Sequence, residues 1–188
     1  MVGLFLLESG NKPKSLNTPI IFTFLMKHHK FFARKSDEAA IELLGRLLIR
    51  TTDKGATAGR IIQTGAYEGG NETPSRAGMK YAPGTIFLMP YRGSYLLNIA
   101  TDREGYPSCV EIRQVAYHDK IIDGSGAITK HLGIEGLDGI LLGEKLQIAG
   151  EPVERANVKR VKGNADNCLG YYLIRWEVRE HYIKSINW

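Results

Sequence analysis

Apolar and polar positions along the chain follow two periods, one typical of helices and one typical of strands. The clearest helical stretch begins at Ser36, which we predict to be its N-cap, and ends at Gly45. Asp37 and Glu38 place negative charge in the first turn, where the helix dipole favours it. The apolar positions that follow have the spacing of one buried helix face, and they are Ala40, Ile41, Leu43 and Leu44.

Most of the other patterned segments predict strands. These are 47–52, 59–64, 85–89, 94–100, 108–115, 145–148, 158–162 and 171–177. A hairpin turn is predicted at 53–55, and a tight corner at 90–93. Between them, 65–83 is rich in glycine and proline and is predicted to be a long irregular loop, a feature that is usually functional or disordered.

One further helix is predicted from Ser125, taken as its cap, to Leu132, with Gly133 ending it. The strands therefore run in series, and the few helices do not alternate with them. This order predicts an α+β fold, a single domain with a curved, mainly antiparallel sheet and a protruding hairpin, rather than a doubly wound fold.

Length and composition limit the possible classes. The chain has 188 residues, of which 43% are hydrophobic and 24% charged, as expected for one folded domain rather than a disordered chain. Its longest apolar run, 19–26, is too short to span a bilayer. We predict a domain over 27–188 and an extension over 1–26, which either packs on the domain or is upstream sequence preceding a start at Met26.

The charge balance is basic, with 25 Lys and Arg against 20 Asp and Glu and a net charge of +5. This suits a polyanionic partner, but an ordinary soluble surface gives the same balance. The segment 27–35 is either a phosphate-contacting stretch or a solvated lead-in to the first helix. Cys109 and Cys168 are too few for a disulfide framework, and the histidines lack ligand spacing, so we expect no metal and a reducing, intracellular compartment.

Several segments, in order, resemble the alkyladenine (3-methyladenine) DNA glycosylase family of base-excision repair. They are FFARKSDEAAIELLGRLLIR (31–50), GRIIQTGAY (59–67), MKYAPGTIF (79–87), YRGSYLLNIAT (91–101), CVEIR (109–113), GSGAITKHLGI (124–134) and YYLIRW (171–176). The resemblance implies a curved antiparallel sheet with a hairpin that enters the DNA minor groove. It also implies double-stranded DNA with alkylated bases as partner, a monomer, no cofactor, and a nucleoid-associated or nuclear location.

The resemblance also assigns roles to individual residues. Tyr91 corresponds to the tyrosine that intercalates into the gap left by the extruded nucleotide, and a wedge on a tight turn suits that role. Tyr67 corresponds to the tyrosine that stacks on the base, and an aromatic face also attracts a cationic alkylpurine. Asn98 corresponds to the asparagine that obstructs normal bases. Arg92 and Lys80 are candidates for contacts with the DNA backbone.

Arg113 corresponds to an arginine near the family's active site. It lies in a segment that otherwise reads as a buried strand, so its charge requires a partner, either a carboxylate or a DNA phosphate. Side chains alternate along a strand, and Val110 and Ile112 are predicted to face the core. Cys109, Glu111 and Arg113 are therefore predicted to share the opposite face.

The chain departs from the family where the general base is expected. The family motif Glu-Thr-Glu-Ala-Tyr reads Gln63-Thr64-Gly65-Ala66-Tyr67 here, so the catalytic position falls on Gly65. The following loop is also shortened and lacks the histidine that contacts the base. The missing general base could be compensated in two ways. Another carboxylate replaces the base, with Glu111 the first candidate and Glu68 and Glu72 next, or a cationic purine leaves with only a water held by backbone groups.

Three functions remain at this stage. The first is a glycosylase that flips and hydrolytically releases alkylated purines such as 3-methyladenine. The second is a catalytically weak or inactive binder of damaged DNA, for which Gly65 is the best sequence support. The third is a basic scaffold or RNA-binding protein. For Glu111, an ion pair with Arg113 or a solvated position on the sheet is the structural alternative to catalysis.

Overall fold

A computed structural model describes residues 28–69, 81–118, 120–165 and 167–184. Within them the helices are α1 (His28–Phe32), α2 (Ser36–Leu43), α3 (Ser125–Leu132) and α4 (Trp176–Lys184). The strands are β1 (Leu47–Thr52), β2 (Gly55–Glu68), β3 (Ile86–Tyr91), β4 (Ser94–Ala100), β5 (Ser108–Tyr117), β6 (Lys120–Asp123), β7 (Leu146–Ala149), β8 (Val158–Val161) and β9 (Cys168–Ile174). Two short 3₁₀ turns, Glu135–Leu137 and Arg155–Asn157, join some of them.

The nine strands form one open sheet in which every described pair is antiparallel. Strand β2 is its long centre. It pairs with β5 along one side, while the other side pairs first with β1 and then with β9. The predicted α+β fold with a mainly antiparallel curved sheet is therefore confirmed.

One face of this sheet carries the main hydrophobic core, which α2 and α3 cover. Val110 and Ile112 of β5 point into it and are fully buried. Ala39, Ala40 and Leu43 pack from α2. The face is closed almost entirely with aliphatic side chains, which is the expected way for an amphipathic helix and a sheet to bury their apolar surfaces together.

Both predicted serine caps are wrong, although both helices are confirmed. The N-cap positions are Lys35 and Gly124, and neither makes a side-chain capping hydrogen bond. Ser125 is instead buried, and its Oγ accepts a hydrogen bond from Leu97 N at 2.6 Å. The sequence pattern identifies the helix start, but the strand beneath competes for the hydroxyl and decides its partner.

The predicted irregular loop begins too early. Residues 65–68 belong to β2 because strands β5 and β9 flank them and pair with them on both sides. Tertiary pairing overrides the glycine at position 65, a residue that is unfavourable in isolated strands. Of the rest of the predicted loop, residues 70–80 lie outside the described residues.

The ends of the chain differ most from the prediction. Strand β9 ends at Ile174, and helix α4 begins at Trp176, where the pattern had predicted continued strand. In the basic segment 27–35, Phe32 is fully buried and meets Phe31 edge-on, so part of α1 packs against the domain rather than only leading into α2. The extension 1–26 falls outside the described residues. No helix in the described ranges is both long and apolar enough to cross a membrane.

Candidate active site

Opposite the helix-covered core, the sheet carries a row of side chains that are direct cross-strand neighbours. Each member pairs with the next through the register of adjacent strands. From one edge to the other, the row contains Phe87, Asn98, Glu111, Gly65, Tyr171 and Val161. Directly paired residues on one face of an antiparallel sheet have Cβ atoms about 5 Å apart. Adjacent side chains in this row can therefore interact although they come from six different strands.

Glu111 is the charged centre of the row. Its Oε2 accepts a hydrogen bond from the Tyr67 hydroxyl at 2.9 Å and forms an ion pair with Arg113 Nη1 at 2.7 Å. The Glu111 side chain is only 7% exposed, against 31% for Arg113. The structure therefore brings together three of the predicted site residues, and the predicted charged partner of Arg113 is a carboxylate.

The electrostatics of this group fix two protonation states. Burial, reinforced by the neighbouring Glu111 carboxylate, raises the pKa of the Tyr67 phenol, so it remains a neutral donor. For Arg113, burial is the largest single influence and lowers the pKa, but Glu111, Tyr67 and Tyr171 together raise it by more, so the net shift is upward. A neutral phenol and a charged guanidinium thus both donate to one carboxylate oxygen, an arrangement of charge-assisted hydrogen bonds.

Gly65 occupies the middle of the row, between Glu111 and Tyr171. A Cβ atom built there would lie 3.1 Å from Tyr171 Cδ1, 3.1 Å from Tyr67 Cε2 and 3.3 Å from Arg113 Cδ. Two aromatic rings and the arginine stem therefore already fill the space that a side chain would need. The glycine permits this close approach, and a carboxylate at position 65 would have to displace its neighbours.

Tyr171 is the residue that sequence reasoning missed. Its ring lies under the Arg113 guanidinium, with Cζ 4.2 Å from the ring centroid, and its hydroxyl donates to Asn164 Oδ1. The pattern had placed position 171 on a strand, but it carried no indication that this strand would pair with Gly65. Such a contact depends on register between distant segments.

Asn98 is buried beside Glu111 on the neighbouring strand. Its Nδ2 donates to Leu96 O at 3.0 Å, and its Oδ1 accepts a weak hydrogen bond from Cys109 Sγ at 3.5 Å. Burial is the main cause that raises the pKa of the Cys109 thiol, and the nearby Glu111 adds to it, so the thiol stays neutral. Both ends of the amide are therefore engaged, and its orientation is fixed by contacts within the protein.

Glu68, the second candidate base, lies apart from this group. It follows Tyr67 along β2, and its Oε1 accepts a hydrogen bond from Ser36 N at 3.3 Å, at the start of α2. Alternation along the strand therefore directs it to the helix-covered side, where a carboxylate complements the helix dipole. Lys80 and Glu72 lie outside the described residues.

The β3–β4 hairpin carries the candidate wedge. Tyr91 ends β3 and pairs with Ser94, and Arg92 and Gly93 form the tip with positive φ values of 46° and 75°. Tyr91 is 49% exposed, with the Arg92 guanidinium 5.2 Å from its ring centroid. A two-residue turn with two positive φ values is the tight type that favours a protruding hairpin.

A cleft of about 850 Å³ opens beside the row, at the β8–β9 connection. Arg160, Lys162, Asn164 and Cys168 are among its lining residues. The hydrogen bond between Tyr171 and Asn164 joins it to the row. Within the described part of the chain, no three His, Cys, Asp or Glu side chains are grouped to hold a metal ion.

Comparison with known proteins gives a family match that covers most of this candidate site. The family model for methylpurine-DNA glycosylase (MPG) matches residues 30–163, which contain every described candidate residue except Tyr171. The match extends from within α1 to just beyond β8. It therefore includes both the helix-covered core and most of the row.

Curated relatives are similar over part of their length, and several are named "Putative 3-methyladenine DNA glycosylase". One from Anaeromyxobacter dehalogenans (strain 2CP-C) is 32% identical over 68% of this chain and 70% of its own length. One from Synechococcus elongatus is 33% identical over 61% of this chain and 66% of the relative. With one from Anaeromyxobacter sp. (strain Fw109-5), 33% identical over 45% of this chain, the match spans about half of the relative, 48%. The chain belongs to the methylpurine-DNA glycosylase family.

Proposed function

We propose that this protein is a DNA-repair glycosylase that hydrolyses the N-glycosidic bond of cationic alkylated purines, such as 3-methyladenine, in double-stranded DNA. Family membership and the names of the relatives support the class of enzyme. The observation that carries the proposal is the Glu111 carboxylate, which lies opposite Gly65 and is held by Tyr67 and Arg113. Its partner is the cell's DNA, and the protein acts as a monomer.

Glu111 acts as the general base. Tyr67 and Arg113 both contact Oε2, so Oε1 is the oxygen that holds the attacking water. The carboxylate takes a proton from this water while the water oxygen forms a bond to the sugar C1′. The bond from C1′ to the purine nitrogen breaks, and the leaving purine keeps the electron pair, which neutralises its positive charge. A base in this position typically contributes ~10²- to 10⁴-fold in rate.

Extrusion of the base depends on the hairpin. The exposed Tyr91 ring fills the gap in the base stack, and Arg92 beside it contacts phosphate, together with Lys80. The extruded purine then stacks on Tyr67, where an aromatic face and the adjacent carboxylate both favour a cation. The buried Asn98 obstructs the exocyclic groups of normal bases.

The same geometry predicts which lesions react poorly. Hypoxanthine is a neutral purine, and its departure needs a proton. Tyr67 is a poor source of that proton because burial and Glu111 raise the pKa of its phenol. We therefore expect rapid release of 3-methyladenine and 7-methylguanine and slow release of hypoxanthine.

The test is single-turnover base release from DNA with one defined lesion. Glu111→Gln keeps the shape of the side chain and removes the base, so release of 3-methyladenine should fall at least about tenfold. Glu68→Gln alters the carboxylate at the start of α2 and should change release less than about twofold, within the range of a surface substitution. Equal rates for Glu111→Gln and wild type, with both folded by circular dichroism, would show that Glu111 is not the base.

A second function has one specific observation in its favour. The Glu111 side chain is buried and already ion-paired with Arg113, which is the environment of a structural carboxylate. On this reading the protein binds damaged DNA without chemistry. Tight binding to a duplex with an abasic-site mimic, with no base released over long incubation, would select it over the glycosylase.

A further inference from the structure

We propose that Tyr171 is a positioning residue of the site: its ring holds the Arg113 guanidinium, which in turn holds the Glu111 carboxylate. This inference rests on the proposed function, in which Glu111 acts on the water. Tyr171 belongs to β9 and lies beyond the end of the family match at residue 163. Its role is therefore inferred from its contacts in this structure and not from the family match.

Arg113 is contacted on two different sides. Arg113 Cζ lies over the Tyr171 ring, 4.2 Å from its centroid, and Glu111 Oε2 lies 2.7 Å from Arg113 Nη1. Within the described residues, no group accepts a hydrogen bond from the buried Arg113 Nε. Hydrogen bonding alone thus leaves part of the guanidinium unrestrained, and the aromatic face supplies the contact that sets its plane.

The ring lies beside Gly65, and its hydroxyl adds one hydrogen bond at the far end. Its hydroxyl donates to Asn164 Oδ1 in the β8–β9 connection. Its Cδ1 lies 3.1 Å from the point where a side chain on Gly65 would begin. A larger residue at position 65 would have to displace this ring or its neighbours, so the glycine and the tyrosine form a matched pair.

A ring that positions Arg113 predicts a specific pattern among substitutions. Tyr171→Leu removes the aromatic face, so Arg113 and Glu111 lose their fixed geometry. Tyr171→Phe keeps the face and loses only the hydroxyl. Neither change touches the hairpin that meets DNA, so affinity for DNA should not change.

The experiment measures single-turnover release of 3-methyladenine and binding to a duplex with an abasic-site mimic, using the full chain. Tyr171→Leu should lower the release rate about fivefold, and Tyr171→Phe should stay within about twofold of wild type, as expected for loss of one cation–aromatic contact. The dissociation constant for the abasic duplex should change less than about twofold in both variants. The control is Tyr117→Leu, the same substitution at another partly buried tyrosine. Tyr117 ends β5, and its ring contacts His131 of α3, so this variant should leave both values unchanged.

A structural measurement separates this inference from the proposed function. The guanidinium of Arg113 is followed by ¹⁵N NMR, with the Nε signal assigned through Arg113→Lys. Restricted rotation in wild type and Tyr171→Phe, and faster rotation in Tyr171→Leu, would support the positioning role even if wild type released no base. Equal rotation in all three proteins would overturn it. If wild type does release base, equal release rates for wild type and Tyr171→Leu would overturn it as well.

Discussion

The two faces of strand β5 differ in how they are filled. Toward the helices, Val110 and Ile112 are fully buried in an aliphatic core. Toward the other side, Glu111 and Arg113 form an ion pair, also largely withdrawn from water. The same strand therefore supplies both the stability of the fold and the charge of its site, and alternation keeps them apart.

The comparison shows why the polar face can keep a buried carboxylate. Desolvation of a charge is costly unless hydrogen bonds and an opposite charge offset it. Tyr67 and Arg113 provide both from neighbouring positions, while the aliphatic face holds the strands in register. Substitutions on the helix face should thus lower stability most, and substitutions on the polar face should lower it less while also changing chemistry.

The largest effect on stability is expected at Ile112. Ile112→Ala removes a fully buried side chain and leaves a cavity, which should lower the free energy of unfolding by about 3 kcal/mol. Urea denaturation measures it, with Ile121→Ala as control because that side chain is 43% exposed. A loss below about 1 kcal/mol, within the usual range of ordinary substitutions, would mean that the side chains on this face are less tightly packed than their burial indicates.

A smaller effect is expected at Gly65, on the polar face. Gly65→Ala brings a methyl group within 3.1 Å of two aromatic rings, so we expect about 1–2 kcal/mol of destabilisation from overpacking. Gly136→Ala is the matched control, since no atom lies within 4 Å of its Cβ position. If thermal unfolding shows both variants equally stable, the row has more space than its geometry indicates.

The smallest effect depends on pH. The pKa of Tyr67 is raised above its ordinary value of 10.0, so the folded state keeps the phenol protonated after the unfolded chain has ionised. The contribution of this phenol to the free energy of unfolding is fully present below pH 10. It is lost as the pH rises above 10, at up to about 1.4 kcal/mol per pH unit. Tyr67→Phe lacks the group, so its unfolding free energy should fall less steeply between pH 10 and 11. Parallel curves for the two proteins in alkaline urea denaturation would contradict the raised pKa.

Sequence patterns predicted the elements well wherever a local period was sufficient. Helix α2 and strand β1 have distinct apolar periods, and the shared face of Glu111 and Arg113 follows from alternation alone. The strand character of 65–68 was missed because only its partners on both sides make Gly65 acceptable there. Tyr171 was missed for a related reason, since the register that places it beside Gly65 joins segments more than 100 residues apart.

The pairing of Gly65 with Glu111 has a consequence for how function is inferred from such sheets. The position of a side chain in a sheet depends on its place along its own strand and on which residues of the neighbouring strands pair with it. A linear sequence motif records only the place along the strand. A carboxylate can therefore leave one strand and be supplied by the next at almost the same point in space. Motif searches that score each strand separately would record the glycine at position 65 and miss the carboxylate paired with it on the adjoining strand.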